Sequence, residues 1–241
     1  MKTPIIKAFL ITFISLNTMN YSYALSDETY RNNIKVISEI KKDKKFKYEI
    51  NIDYPFVYNL ANKNVEDKIN NHLKKHVQNS KKLFLKNLSE FTNSDFDPAV
   101  NSDINIGYNT YYMDKSKISF SIGISSYYRG SAHPNSETLT YNYDLKTGNQ
   151  ILLKDLFKPN SNYLKFISGY SIKELKKKVI SHEDSNDWLK EGAGLKADNF
   201  KAFNIGKDHL IIYFQSYQVA SYAEGPQEVK IPFAKIKYIL K

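Results

Sequence analysis

Ile118, Phe120, Ile122 and Ile124 alternate with Ser119, Ser121, Gly123 and Ser125. A period of two predicts a strand with one apolar face. Phe46, Tyr48, Ile50, Ile52 and Tyr54 alternate in the same way with Lys47, Glu49, Asn51 and Asp53, and Pro55 is expected to stop that strand. Between them lies a different period. Val65, Ile69, Leu73, Val77, Ser80, Phe84, Leu88 and Phe91 follow at steps of three and four, the stripe of an amphipathic helix. Asn64 is its expected N-cap, with Asp67 close to the exposed amides.

Weaker patterns fill in the rest. Ile34–Ile40 reads as a short strand before the lysine-rich turn Lys41–Lys45, and Thr92–Pro98 as a polar break. Ile104–Met113 and Thr138–Tyr143 flank the strand at Ile118, close enough in sequence for an antiparallel meander, and Thr147-Gly148 marks a turn. Ser161–Ile180 is helical in period, and a shorter helix over Ser185–Glu191 ends at Gly192. Leu210–Phe214 and Val229–Ile231 read as strands, and Pro232 opens a last short helix. This order predicts an α+β fold, a mostly antiparallel sheet with packed helices. No internal repeat is visible, and no Pro/Ser/Gly linker divides the chain.

The first residues stand apart. Lys2 and Lys7 precede the apolar run Ala8–Leu16, and Ser22-Tyr23-Ala24 places small residues before a cleavage point, the pattern of a secretory signal peptide over 1–24. The run is shorter than the roughly 20 residues a spanning helix needs, so a soluble periplasmic or secreted protein is expected, without stable membrane insertion after cleavage. With no cysteine, a lipid anchor, disulfides and thiolate chemistry are all excluded. The segment 25–100 is then an N-terminal strand and helix. The segment 101–241 is a C-terminal α+β part that forms one compact unit with it.

Charge changes this picture little. The 241 residues carry 35 Lys and Arg against 25 Asp and Glu, a formal +10. Only Arg31 and Arg129 are arginines. Removing 1–24 takes away two lysines and no acid, which leaves +8 on 217 residues. The lysines are spread along the chain, which together with export argues against a nucleic-acid partner. Attraction to anionic envelope polymers is the milder consequence.

Few residues suggest catalysis. His72 and His76 are four apart on the predicted helix, but the intervening Leu73-Lys74-Lys75 lacks the glutamate of a zinc protease motif and carries positive charge. They are read as solvated helix-face histidines. His182-Glu183-Asp184-Ser185-Asn186-Asp187 lacks the spacing and glycine of a calcium loop and reads as a capping loop. Gly-x-Ser-x-Gly, phosphate-loop and dinucleotide motifs are absent. No metal or cofactor is expected.

Two loops hold the chemistry. Tyr127–Asn135 connects two predicted strands and gathers tyrosines, Arg129, His133 and Asn135 at one end of the sheet. Tyr213–Gly225 runs from a strand into a second aromatic and polar segment. Tyrosines among amides and carboxylates suit recognition of sugars or protein surfaces, because each pairs an apolar face with a polar tip. Tyr128, Arg129, His133, Asn135, Tyr217, Tyr222 and Glu224 are the candidate ligand-binding residues. Two other readings stay open. One is a hydrolase in which His133 and Glu224 do acid–base work; the other is a structural envelope protein whose tyrosines are sheet residues.

Tyr128–Asn135, Asn142–Gly148, Leu153–Phe157, Tyr217–Ala220 and Tyr222–Gly225 together resemble the domain-of-unknown-function family 3298. The strand and long helix before them are similar to family 4163, its usual N-terminal companion. The resemblance covers the chain from about Phe46 onward. It implies an extracytoplasmic domain of the kind found in the RsiV-type lysozyme-sensing anti-sigma factor and beside the catalytic domain of a peptidoglycan deacetylase. What carries over as an expectation is an envelope binding module, with neither signalling nor deacetylation. The implied partner is a peptidoglycan-type glycan or a lysozyme-like protein. A charge of +8 gives no steering toward a basic lysozyme.

Overall fold

The computed structural model describes residues 33–91, 101–178 and 185–241. The predicted signal peptide, the Thr92–Pro98 break and His182–Asp184 lie outside the described residues. Five strands form the first sheet: β1 (Ile34–Asp43), β2 (Tyr48–Val57), β3 (Ser102–Met113), β4 (Lys117–Tyr127) and β5 (Asn135–Asp144), in that spatial order. Neighbours are antiparallel except β2 and β3, which run parallel over Tyr48–Ile52 and Ser102–Ile106. A parallel pair needs a long crossover, and helix α1 (Lys63–Phe91) supplies it. The fold is α+β, as its sequence order predicts.

The predicted helical stripe faces the sheet: Val65, Ile69, Leu73, Val77, Phe84 and Leu88 are buried there with Ile50, Ile52, Ile104, Ile106, Ile118, Phe120, Tyr141 and Tyr143. The helix starts two residues earlier than expected, because the side chain that takes the free amides belongs to Asn62. Its Oδ1 accepts from the N–H of Asn64 (3.0 Å) and of Val65 (3.4 Å). Asn70, buried on the same helix, locks α1 to the end of β2. Its amide both accepts from Val57 N–H (2.9 Å) and donates to Val57 C=O (2.7 Å).

Two local expectations change. Pro55 does not stop β2 but pairs with Val36 inside it. Beyond Ile52, among the described residues, no other strand pairs with β2 on its far side, and a residue without an N–H is tolerated at such an edge. His72 and His76 are half-buried rather than solvated. Their rings meet edge to face at 4.6 Å, and His72 Nδ1 hydrogen-bonds the Tyr143 hydroxyl at 2.6 Å. Burial, with His76 and Lys75 nearby, holds the His72 imidazole below its ordinary range.

A second core follows. Helices α2 (Tyr163–Leu175), α3 (Ser185–Gly192) and α4 (Phe233–Ile236) pack with a three-stranded antiparallel sheet of β6 (Phe203–Ile205), β7 (His209–Phe214) and β8 (Gln227–Pro232). The two cores part between Tyr143 and Leu153. Among the described residues no helix is long and apolar enough to cross a membrane.

β6 meets the serine side of β4, which therefore does not face water: Ser119 and Ser121 are buried. Small side chains let the second sheet come close, and the Ser119 hydroxyl meets its backbone. Ser119 Oγ donates to Asn142 Oδ1 (2.7 Å) and accepts from Ile205 N–H (2.9 Å) and from the Asn204 amide (3.0 Å). Asn142 Oδ1 also accepts from Ile205 N–H (3.2 Å), and its amide donates to Phe203 C=O (2.8 Å). Away from β6 the same sheet face is open and polar. There Glu49 and Asp103 sit opposite each other on β2 and β3. Burial, and then the Glu49 carboxylate, push the Asp103 carboxyl up to about 6, against a hydrogen bond from Asn105 that lowers it.

Asn142→Ala takes the donor from Phe203 C=O and the acceptor from the Ser119 hydroxyl, both buried, and is expected to destabilise the protein by about 2–3 kcal/mol in urea unfolding. Asp103 gives a pH test. Its folded-state pKa lies above the unfolded value, so the native state binds the extra proton and stability falls as pH rises from about 4 through 6. Asp103→Asn should therefore raise the melting temperature at pH 7 to 8, and the gain should vanish near pH 4.

Candidate functional site

The two tyrosine-bearing loops meet. β4 delivers the segment 128–134 at one rim of the first sheet, and β7 delivers 215–226 from the second. The His133 and Tyr222 rings stack at 3.7 Å with 21° between their planes. Pro134 C=O accepts from the Tyr222 hydroxyl at 2.8 Å and faces His133 Nδ1 at 3.0 Å. A carbonyl only accepts, so Nδ1 carries the ring proton and Nε2 is left as the acceptor for the Tyr217 hydroxyl at 3.4 Å. Neither ring nitrogen has a carboxylate in these contacts.

Tyr217 continues the aromatic run. Its ring lies 5.6 Å from Tyr222 and 6.5 Å from Trp188 on α3, which makes a ledge Trp188–Tyr217–Tyr222–His133. Tyr217 is 55% exposed and has φ of 66°, a left-handed conformation that disfavours a bulky side chain. The turn closes through Gln218 N–H to Gln215 C=O at 3.0 Å.

Two glutamines hold that turn in place. The Gln215 side chain pairs with the open edge of β5 as a strand would, accepting from Thr138 N–H (3.0 Å) and donating to Thr138 C=O (2.8 Å). Gln218 donates to Gly192 C=O (2.9 Å) and Asn199 C=O (3.0 Å), and accepts from Gln215 N–H (3.0 Å). Gly192 has to be glycine here: a Cβ would stand 1.7 Å from Gln218 C=O. Beside the ledge opens a cleft of about 600 Å³, lined by Asp187, Glu191, Lys196 and Asn199 together with Trp188, Tyr217 and Gln218.

The other expected residues are not among the four rings. Tyr128 packs on Phe84 of α1 at 5.4 Å, and Asn87 donates to its hydroxyl at 3.4 Å, so it belongs to the first core. Arg129 is half-buried and its N–H donates to Ser102 Oγ at 2.9 Å. Asn135 opens β5 opposite Ser126 and is exposed. Glu224 ends the 3₁₀ turn Tyr222–Glu224, where its C=O accepts from the Gln227 amide at 2.7 Å. Sequence reasoning missed Trp188, Gln215 and Gln218. Trp188 is the chain's single tryptophan and follows Asp187 in what reads as a capping loop. That rarity on a short polar helix was the available signal. The glutamines gave none, since only the folded contact shows their role.

Apolar ring faces beside carboxylates, a lysine and amides can hold a polyhydroxylated ligand: C–H groups on the rings, hydroxyls on the rim.

Known proteins agree with this architecture. Residues 154–234 match the family described as a protein of unknown function, DUF3298. Residues 40–136, likened above to family 4163, match the family model Deacetylase PdaC. The chain is 28% identical over 243 residues to the peptidoglycan-N-acetylmuramic acid deacetylase PdaC of Bacillus subtilis (strain 168), covering 96% of this chain and 49% of that protein, so it spans about half of that relative. It is 31% identical over 215 residues to the anti-sigma-V factor RsiV of the same organism, covering 86% of this chain and 71% of RsiV. Two crystal structures of DUF3298 proteins, from Bacteroides fragilis and Pseudomonas aeruginosa, share the fold. Each has a TM-score of 0.57 over 86% of this chain, at 16% and 11% identity, covering 93% and 94% of the solved chains. The chain belongs to the DUF3298 family, with a PdaC-type segment ahead of the family's domain.

Proposed function

We propose that the protein is an exported cell-envelope binding protein that holds a peptidoglycan-type glycan on the Trp188–Tyr217–Tyr222–His133 ledge and in the cleft beside it. The observation that carries this reading is the meeting of the two loops. Four aromatic rings in sequence, the outer ones exposed or half-exposed, border a polar cleft of the size a few sugar rings require. The relatives support the envelope setting, since one is named for its action on peptidoglycan. A second reading, a lysozyme-like protein as ligand, is supported by the likeness to the anti-sigma-V factor RsiV, taken with the lysozyme-sensing type that the sequence resemblance implies. The cleft itself is no strong cation trap. Asp187 and Glu191 face Lys196 there, and Asp187 already pairs with Lys190 at 3.0 Å.

Titration calorimetry with soluble peptidoglycan fragments, and separately with lysozyme, tests both. His133→Ala with Tyr222→Ala should weaken binding at least tenfold, the loss typical of a central aromatic contact. Trp188→Ala should weaken the glycan as well. If the protein binds neither fragments nor lysozyme, the ledge is structural and the proposal fails.

A further inference from the structure

The turn between β1 and β2 combines dense positive charge with exposed apolar side chains. Lys41-Lys42-Asp43-Lys44-Lys45-Phe46-Lys47 places five lysines and one phenylalanine around a single aspartate. The aspartate belongs to the turn: Asp43 Oδ1 accepts from Lys45 N–H (3.1 Å) and Phe46 N–H (3.0 Å). Lys47, at a φ of 50°, completes the reversal. Lys41 donates to the Tyr48 hydroxyl (2.6 Å) and Lys42 pairs with Glu49 (3.0 Å), so those two are anchored at the base. Lys44 and Lys45 are exposed at the tip, and Lys45 Nζ stands 5.2 Å from the Phe46 ring centre. Phe46 itself is 55% exposed, and Ile40, on the open sheet face just behind it, is 75% exposed. A solvated turn has no need of a bare phenylalanine.

We infer that this hairpin is a peripheral docking tip for an anionic phospholipid bilayer. Lysines at a membrane surface gain from the negative headgroups, and an aromatic ring set among them enters the boundary between headgroup and acyl chain. Long lysine side chains keep their charge in the headgroups while their stems follow the ring inward. A soluble polyanion would engage the lysines and leave Phe46 and Ile40 without a role, so charge and apolar exposure together favour the bilayer. Register adds an orientation. Asp43 pairs with Tyr48, Tyr48 with Ser102, and Asp103 with Tyr127, so the hairpin tip and the β4–β5 loop share one rim of the sheet. Docking through the tip therefore turns the aromatic ledge toward the envelope surface. The inference does not depend on which ligand the ledge binds.

The test is co-sedimentation of the exported, processed protein with vesicles of phosphatidylcholine containing phosphatidylglycerol, with vesicles of phosphatidylcholine alone, and with soluble polyphosphate as competitor. Binding is expected to the anionic vesicles, to fall roughly fivefold for each of Lys44→Ala and Lys45→Ala, and to weaken as salt is raised. Phe46→Ala should weaken vesicle binding while leaving polyphosphate binding unchanged. Phe46→Trp in a Trp188→Phe background leaves one indole, whose emission should shift to the blue on anionic vesicles only. Equal binding to both vesicle types, no binding to the anionic ones, or no loss from Phe46→Ala would overturn the inference. In the last case the lysines serve a soluble polyanion.

Discussion

Everything the second sheet presents depends on one buried polar contact, the meeting of Ser119 and Asn142 with the backbone of β6. A three-residue strand has too few ladder bonds to set its own register. Here the register comes from outside. Ile205 N–H finds two acceptors, Ser119 Oγ and Asn142 Oδ1, and Phe203 N–H finds Thr140 Oγ1 at 3.1 Å. Sliding β6 by one residue would strand these groups away from water, at about 1–3 kcal/mol each. Apolar packing alone would not be so selective, because Phe203 and Ile205 could each settle against a neighbouring apolar patch.

From that fixed strand the chain has little freedom. Gly206 N–H donates to His209 C=O at 2.8 Å, and its missing Cβ gives that carbonyl room, so β6 turns directly into β7. β7 carries Gln215 to Thr138, where its amide closes the edge of β5. Only then does Tyr217 take its left-handed turn. Such a conformation costs of order 1 kcal/mol for a non-glycine residue, and the two glutamine amides around it offset that cost. The ring is thus pointed outward by rigid contacts on both sides, which suits a binding surface that is formed before its ligand arrives.

Most of the elements were legible in the sequence because each buries one face with a regular period. The helix stripe Val65–Leu88 and the alternation of β4 are the best cases. What was not legible shares a cause: the partner was distant. The sequence marks only one apolar face on β4, since nothing local announces that β6 will cover its serines. Asn62 rather than Asn64 caps α1 because three asparagines and a lysine crowd that start, and propensity does not choose between them. Tyr128 and Tyr222 look alike in sequence, yet one fills the space over Phe84 and the other stacks on His133. The loops themselves were found from their composition; Trp188 was not, because it reaches them from a separate short helix, α3, far from both loops in sequence.

The position of the ledge has a consequence for how the chain works as a whole. The PdaC-type match ends at residue 136 and the DUF3298 match begins at 154, and the two hydrophobic cores part in the same interval. His133 and Pro134 come from the first part; Trp188, Tyr217 and Tyr222 come from the second. Neither part bears the ledge alone. The contacts that build it, Tyr222 to Pro134 and Gln215 to Thr138, join residues 88 and 77 positions apart. A surface assembled across such a seam exists only while the two cores stay docked, so the buried Ser119–Asn142 contact supports the ledge without being part of it. Separating the two matched segments would remove the surface even if both halves kept their cores. It follows that the pair of segments, rather than either one, is the unit that carries the ledge.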